Sequence, residues 1–459
     1  RRHTRLRRDW SSAVCSSDLP RRLATRAAAQ RMADTLGEPV GRTVGYRIRG
    51  EAKVSRHGRI EVVTEGILTR MLQSDPSLDG IGAVIFDEFH ERSLNADLGL
   101  ALVWEMREAL RPDLKVLVMS ATLDAEPVAD MLGAALITSV GRAWPVDTRW
   151  LDRPVAKSQR FEQAAAELVL RAVAQTDGGV LVFLPGEGEI RRVQALLRDQ
   201  LPDGCRLYPL FGAMPFAAQR AAIAPDVRAR KIVLATSIAE TSLTIQDISV
   251  VVDAGRARRA RFDPGAGMSR LVTERVTKAE ADQRRGRAGR LRAGTCWRMW
   301  TKGENGGLAA FPPAEIEAAD LCALALELAL WGAGTADDLN FLTPPNPSAM
   351  AKAKDLLNAL GALDGSGHIT SHGRTLAALP LHPRLGHMLT LGGPGAAPLA
   401  ALLSGRDPLR GASVDLIERK QALSGPGQFP AAERGALERV RTEAKRLARL
   451  VRGTGENLK

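Results

Sequence analysis

The chain has 459 residues, 45% of them hydrophobic and 25% charged. That length suggests about three domains, and the composition excludes disordered, collagen-like and disulfide-framework classes. No run of about 18 apolar residues and no charged-then-apolar leader occurs, so a membrane span, a membrane partner and a secretory route are not expected, and the expected location is cytoplasmic. Cys15, Cys205, Cys296 and Cys322 are widely spaced, without metal-ligand spacing, and are expected to be reduced thiols. The formal net charge is +12, with 53 Arg against 11 Lys. A guanidinium stays charged and forks onto phosphate oxygens, so the excess points to a phosphate-rich partner. Arg256 to Arg292 alone holds 12 basic and 4 acidic residues, a net +8.

In chain order, Ile60–Val63, Ala83–Phe86 and Val116–Met119 are short apolar runs that predict strands, and Ala96–Leu110 has helical periodicity. Gly141–Pro154, rich in Gly, Pro and Arg, reads as a connection. The alternation then restarts: helix over Phe161–Ala174, strands at Val180–Leu184, Ile232–Ala235 and Val250–Val252. Two successive α/β halves are predicted. From about Asn305 strands vanish, and Glu315–Trp331, Ser348–Gly361 and Ala436–Val451 read as helices. The last places Leu437, Val440, Ala444, Leu447 and Val451 on one face, a packing stripe rather than a membrane one.

In parallel sheets ligands bind beyond the carboxyl ends of the strands. Ala83–Phe86 runs into Asp87-Glu88-Phe89-His90, where two adjacent carboxylates suit a magnesium nucleotide. Asp87 would hold Mg²⁺ through water and Glu88 would orient and deprotonate the attacking water; a solvated acidic loop is the plain alternative. His90-Glu91 lacks the second histidine of a zinc motif. Ser120-Ala121-Thr122 ends the next strand, and its hydroxyls could bond the acidic loop or cap the following helix. After Ala235 stand five hydroxyls and one carboxylate, Thr236, Ser237, Glu240, Thr241, Ser242 and Thr244, a density that packing does not explain. Gln283, Arg287 and Arg290 are spaced by four and three, one face of a helix. Gly286 and Gly289 beside them would admit a close neighbour.

These blocks, in this order, resemble motifs II, III, V and VI of superfamily 2 helicases of the DEAH type, and Asp-Glu-Phe-His-Glu-Arg is most similar to the bacterial HrpB subgroup. Pro20-Arg21-Arg22-Leu23-Ala24 resembles motif Ia, and Thr64-Glu65-Gly66-Ile67-Leu68-Thr69-Arg70 resembles motif Ib. The resemblance spans about Pro20 to Gln421. It implies an ATP- and Mg²⁺-dependent RNA helicase with two tandem RecA-like α/β domains, the first incomplete, followed by a mostly helical winged-helix and ratchet-type region. The corresponding ranges are 1–19 as a segment foreign to the family, 20–145 and 146–304 as the RecA-like domains, 305–375 as winged helix and 376–459 as ratchet. Leu342-Thr343-Pro344-Pro345 and Leu360-Gly361-Ala362-Leu363 fit the winged-helix region.

By the same resemblance, Asp87 and Glu88 are the metal and water-activating carboxylates, and His90 couples nucleotide to the second domain. Gln283, Arg287 and Arg290 sense the γ-phosphate. Ser120 and Thr122 couple the sites. Arg21, Arg22, Thr64, Glu65, Gly66, Arg70, Thr236, Thr241 and Ser242 meet RNA phosphates or transmit closure. Such contacts carry little sequence information, so a single-stranded RNA of any sequence is the expected partner.

The family's Gly-Lys-Thr/Ser phosphate loop has no counterpart, because no Gly-Lys pair stands anywhere in the 459 residues. A truncated N-terminus lacking the first strand and helix of its sheet is therefore expected, with an incomplete C-terminus and poor ATP hydrolysis by this chain. A non-catalytic RNA clamp on the same fold is the alternative function.

Overall fold

The computed structural model describes residues 13–17, 22–121, 125–139, 144–240, 245–263, 267–405, 407–409, 414–425, 429 and 434–455. The chain divides into two compact units: Arg1–Ala319 with Asn340–Thr343, and Asp320–Leu339 with Pro344–Lys459.

The first unit holds two parallel sheets. Strand β1 (Ala13–Ser17) is followed by helix α1 (Arg22–Thr35), β2 (Val44–Ile48), β3 (Glu51–Lys53), β4 (Ile60–Val63), α2 (Glu65–Ser74), β5 (Ala83–Asp87), α3 (Leu94–Ala109), β6 (Lys115–Val118) and α4 (Glu126–Leu132). Spatial order is β3-β2-β4-β1-β5-β6. Only the β2–β3 pairing is antiparallel. Ala13–Ser17, within the 1–19 range expected to be foreign to the family, pairs with β4 and β5 at the centre of this sheet. At the edge, Leu117 of β6 and Met119 just after it are partly exposed.

The second sheet comprises β7 (Val146–Arg149), α5 (Phe161–Gln175), β8 (Gly179–Phe183), α6 (Glu187–Leu197), β9 (Cys205–Leu210), α7 (Phe216–Ile223), β10 (Arg230–Ala235), β11 (Ile248–Asp253) and, after a hairpin and a helix, β14 (Gly294–Arg298). The intervening hairpin is β12 (Arg256–Asp263) and β13 (Met268–Arg275), and the helix is α8 (Lys278–Gly286). Spatial order is β7-β14-β11-β8-β10-β9, parallel throughout. Strands β8 and β11 are buried along their whole length. Covered on both faces, such strands must be continuously apolar, which is why Val180–Phe183 and Val250–Val252 show no alternation. Each fully buried Val or Leu there contributes about 1.5–3 kcal/mol. Val169, Val173, Ile190 and Val193 of α5 and α6 close one face. Leu210, Ala222, Ile245 and Ala288 close the other.

The connection expected at Gly141–Pro154 contains β7, because Val146–Arg149 pairs with Gly294–Trp297. Two short helices, α9 (Lys302–Gly306) and α10 (Glu315–Ala318), complete the unit.

The second unit is helical: α11 (Cys322–Trp331), α12 (Pro347–Ala359), α13 (Ser371–Ala378), α14 (Pro383–Gly392), α15 (Ala397–Ser404), α16 (Leu416–Ser424) and α17 (Arg434–Gly455). The single helix expected over Glu315–Trp331 is two, because Ala319 turns extended and Asp320 restarts the chain by accepting Cys322 N at 2.7 Å. Val440, Ala444 and Leu447 of α17 pack with Leu389, Ala400 and Leu402, so the apolar stripe of this helix is a packing face. Among the described residues no helix is long and apolar enough to cross a membrane, and Cys205, Cys296 and Cys322 are free thiols.

Candidate active site

The acidic pair stands where β5 ends. Asp87 is the last residue of the strand, and its Oδ1 accepts Glu88 N at 2.9 Å. Glu88 then adopts a left-handed backbone (φ 54°, ψ 33°) and the chain enters a tight turn at Phe89–Glu91. A glutamate rarely holds that conformation without support from its surroundings. Here Phe89 N donates to Met119 O, Met119 N donates to Phe86 O, and the Phe89 ring packs edge-on against Phe86. Burial, then the Glu88 charge, raises the Asp87 carboxyl above its ordinary range. Both effects are relieved by a cation at that point.

His90 is buried at the junction of the two sheets. Its Nδ1 lies 3.5 Å from Glu88 Oε2 and 3.4 Å from Ala121 N. Its Nε2 lies 2.9 Å from Gln283 Nε2 on α8. Burial lowers its pKa, favouring neutral imidazole. The Ala121 amide, between Ser120 and Thr122, thus meets the acidic loop at His90. Ser120 is exposed, and Thr122 lies outside the described residues.

From the opposite side come Arg287 and Arg290. The expectation of one continuous helical face is corrected: α8 ends at Gly286 and Arg287–Gly289 tightens into a 3₁₀ turn. Packing is close at Gly289 in this turn, where a Cβ would lie 2.5 Å from Trp144 O and 2.7 Å from Val146 Cγ2. Gly286 has open space and admits no such neighbour.

Burial, then repulsion from Arg290, lowers the Arg287 pKa to about 9, against the pull of Glu88 and Glu240. Burial likewise lowers Arg290, which faces Glu88 and is repelled by Arg31. Two partly desolvated guanidiniums facing Glu88 form an anion-seeking surface. Arg287 also donates to the Glu240 carbonyl, tying this turn to the hydroxyl-rich segment. A cavity of about 630 Å³ adjoins, lined by His90, Ser93, Ser237, Glu240, Gln283 and the middle of β12 at 258–261.

The sequence reading missed Arg284, the support beneath this array. Its side chain is 1% exposed. Nε donates to Glu240 Oε1 and one terminal nitrogen to Asp253 Oδ1, both at 2.7 Å. Burial alone would lower its pKa, but Asp253 and Glu240 outweigh burial and raise it. Its partners lie 31 and 44 positions away in the chain, so no local pattern marks it.

Of the residues assigned to RNA, Thr64, Glu65 and Gly66 open α2 and Arg70 lies one turn further, exposed like Gly66. Thr236 follows β10. Arg22 begins α1, its side chain outside the described residues, as are Arg21, Thr241 and Ser242 altogether.

Residues 162–292 match the helicase conserved C-terminal domain, and 355–381 match the winged-helix helicase associated domain. The chain is 46% identical over 404 residues to the ATP-dependent RNA helicase HrpB of Escherichia coli (strain K12), an alignment covering 86% of this chain and 49% of that protein. The chain is an HrpB-like member of the DEAH/RHA helicase family. A crystal structure of the Escherichia coli DEAH/RHA helicase HrpB superposes with a TM-score of 0.83 at 42% identity, covering 96% of this chain and 55% of that one. A second, of the E. coli DExH-box NTPase HrpB, gives 0.77 at 43%, covering 95% and 53%. The HrpB-like chain therefore spans about half the length of the relatives it matches. Its two parallel sheets are the tandem RecA-like pair of the helicase fold, and the winged-helix match falls within the helical unit.

Proposed function

We propose that this chain carries the motor of an ATP-dependent RNA helicase, coupling RNA-stimulated ATP hydrolysis to movement on RNA or its unwinding. Residues 20–145 and 146–304 are the two motor halves, 305–375 the winged-helix part and 376–459 the ratchet part. The observation that carries the reading is Glu88 facing Arg287 and Arg290 while His90 meets Gln283.

Magnesium, bound with ATP, draws charge from the phosphates during phosphoryl transfer. The hard oxygen donors at the end of β5 fit such an ion, and the raised Asp87 is the group that would hold it through water. Glu88 orients the attacking water and takes its proton. Arg287 and Arg290 neutralise the γ-phosphate only when the two halves close, a contribution worth about 10³–10⁵ in rate. His90–Gln283, with Ser120 and Thr122, reports that closure. Thr64, Gly66, Arg70, Arg21, Arg22, Thr236, Thr241 and Ser242 meet RNA phosphates without sequence preference or transmit closure, and Glu65 stands among them at the opening of α2.

Positioning of the β- and γ-phosphates is most of this catalysis, and the sequence offers no Gly-Lys pair to provide it. The 459-residue chain is accordingly expected to hydrolyse ATP poorly. Phosphate release with Mg²⁺, ATP and RNA tests this directly. Turnover should be low, should rise when a homologous segment bearing the phosphate loop is fused upstream, and should be abolished there by Glu88→Gln. Robust, Glu88-dependent turnover by the chain alone would overturn the expectation. RNA binding without turnover in the fused chain would favour the clamp.

A further inference from the structure

Glu65 is the first residue of α2 and is 7% exposed. Its Oε2 accepts the hydroxyl of Ser93. Its Oε1 is fully buried and has no hydrogen-bond partner. Ser93 is also the N-cap of α3, its Oγ accepting Ala96 N at 3.1 Å. One carboxyl thus joins the opening turn of α2 to the end of the loop that begins at Asp87.

Its surroundings are acidic. Glu91 in the tight turn, Asp97 on α3 and Glu315 on α10 all bear on it electrostatically. Arg92, the cation of this neighbourhood, is forked onto Asp97 at 2.9 and 3.0 Å and donates to Thr343 Oγ1 at 2.8 Å. Glu315 accepts Leu94 N at 2.8 Å. An anionic Glu65 would be a buried charge among like charges with an unsatisfied oxygen, a costly state. Burial above all, opposed by the Ser93 bond and reinforced by those three carboxylates, raises its pKa to about 8.

The opening of α2 is also prepared for an anion. Thr64 makes no side-chain cap, and while Ile67 N already donates to Thr64 O at 2.8 Å, the amides of Glu65 and Gly66 are the donors that helix geometry leaves open there. Gly66 is exposed with open space around it, and Arg70 is exposed on the same face one turn on. A phosphate bound there would meet the positive end of the helix dipole. A charged carboxylate at the first helical position would oppose it.

We propose that Glu65 is a positioning residue for RNA: through Ser93 it fixes the first turn of α2 to the end of the acidic loop, and in its uncharged form it leaves that turn open to a backbone phosphate. The inference rests on the reading of α2 as an RNA contact and adds a protonation requirement to it. Above pH about 8 the folded chain loses the proton, the new charge repels phosphate, and RNA affinity falls. Below that pH the acid is neutral and affinity is retained.

The test is the affinity of the full 459-residue chain for a fluorescent single-stranded oligouridylate at constant salt between pH 6.5 and 9. Wild type should weaken several-fold across pH 8. Glu65→Gln, the uncharged isostere, should show a flat profile over the same range. Glu315→Gln, which removes one neighbouring charge, should move the midpoint to lower-lying pH. An infrared band of a protonated carboxyl at pH 7, absent in Glu65→Gln, reads the proton independently of RNA. A flat wild-type profile, or a Glu65→Gln profile that falls like wild type, overturns the proposal while leaving RNA binding intact. No RNA binding at any pH overturns the RNA reading itself and this proposal with it.

Discussion

Arg284 shows how one buried cation can hold two elements of a site at once. It lies between Glu240, whose carbonyl receives Arg287, and Asp253, the last residue of β11. Its plane also rests over the Phe183 ring, 5.0 Å from the centroid. Asp253 Oδ2 already lacks a partner, so the cluster has little reserve. Removing the guanidinium leaves two buried carboxylates without their cation, a loss of about 3–5 kcal/mol by analogy with broken buried pairs. Arg284→Ala should therefore lower the thermal midpoint by many degrees. Arg284→Lys should recover only part of it, because an ammonium cannot fork to both acids. Equal midpoints for wild type and Arg284→Ala in a thermal melt would show that the two acids find other partners. Neither this network nor the Glu65–Ser93 bond could be read from the sequence, since each depends on a neighbour 28 or more positions away.

Gly289 places the arginines at the scale of whole elements. The strand β7 enters beside the turn at Arg287–Gly289, and Trp144 N donates to Gly289 O at 3.0 Å. A methyl at 289 would sit 2.5 Å from a backbone oxygen. Backbone must then move, and the turn moves with it. Gly289→Ala should lower RNA-stimulated turnover of the fused, phosphate-loop-bearing chain by tenfold or more while the acidic loop keeps its structure. Gly286→Ala, in open space, should be close to neutral. Similar losses for both would place the sensitivity in helix propensity instead.

At the same scale, what the sequence revealed follows from burial pattern. Strands β5, β8 and β11 are largely apolar, as is β10 after Arg230 and Lys231, and they were legible as short apolar runs. Strands β7 and β14, with Asp147, Arg149, Thr295 and Arg298, lie toward one side of their sheet and carry polar residues, so no apolar run marks them. The hairpin was hidden more deeply. Arg256, Arg258, Arg259 and Arg261 occupy both of its faces, which erases the two-residue period. The acidic pair, by contrast, was legible because it follows an apolar strand directly. Its partners Gln283, Arg287 and Arg290 carried a spacing signal, although the helix they suggested breaks at Gly286.

For the whole molecule, a net charge of +12 does not measure the charge available to RNA. Much of the basic segment is committed internally. Arg261 forks onto Glu274 with both bonds at 2.7 Å. Arg259 reaches Glu274 at 3.0 Å and Glu280 at 2.5 Å. The Arg258 guanidinium contacts Glu189 at 3.1 Å. A guanidinium already neutralised by the protein releases few counterions when RNA arrives, whereas an exposed one on the phosphate path releases close to a full share.

For single strands the logarithm of affinity falls with the logarithm of salt by about 0.7 per neutralised phosphate. Arg70→Gln should therefore reduce the slope by about 0.7 and weaken binding to scrambled RNAs alike. Arg261→Gln should leave the slope unchanged and instead speed amide exchange in the hairpin, because Glu274 loses its fork. Binding titrations from 50 to 300 mM salt, with hydrogen exchange on the same variants, separate the two. An Arg261→Gln slope reduced as much as that of Arg70→Gln would mean that the hairpin arginines leave Glu274 for RNA, and that the charge of this segment is exchangeable.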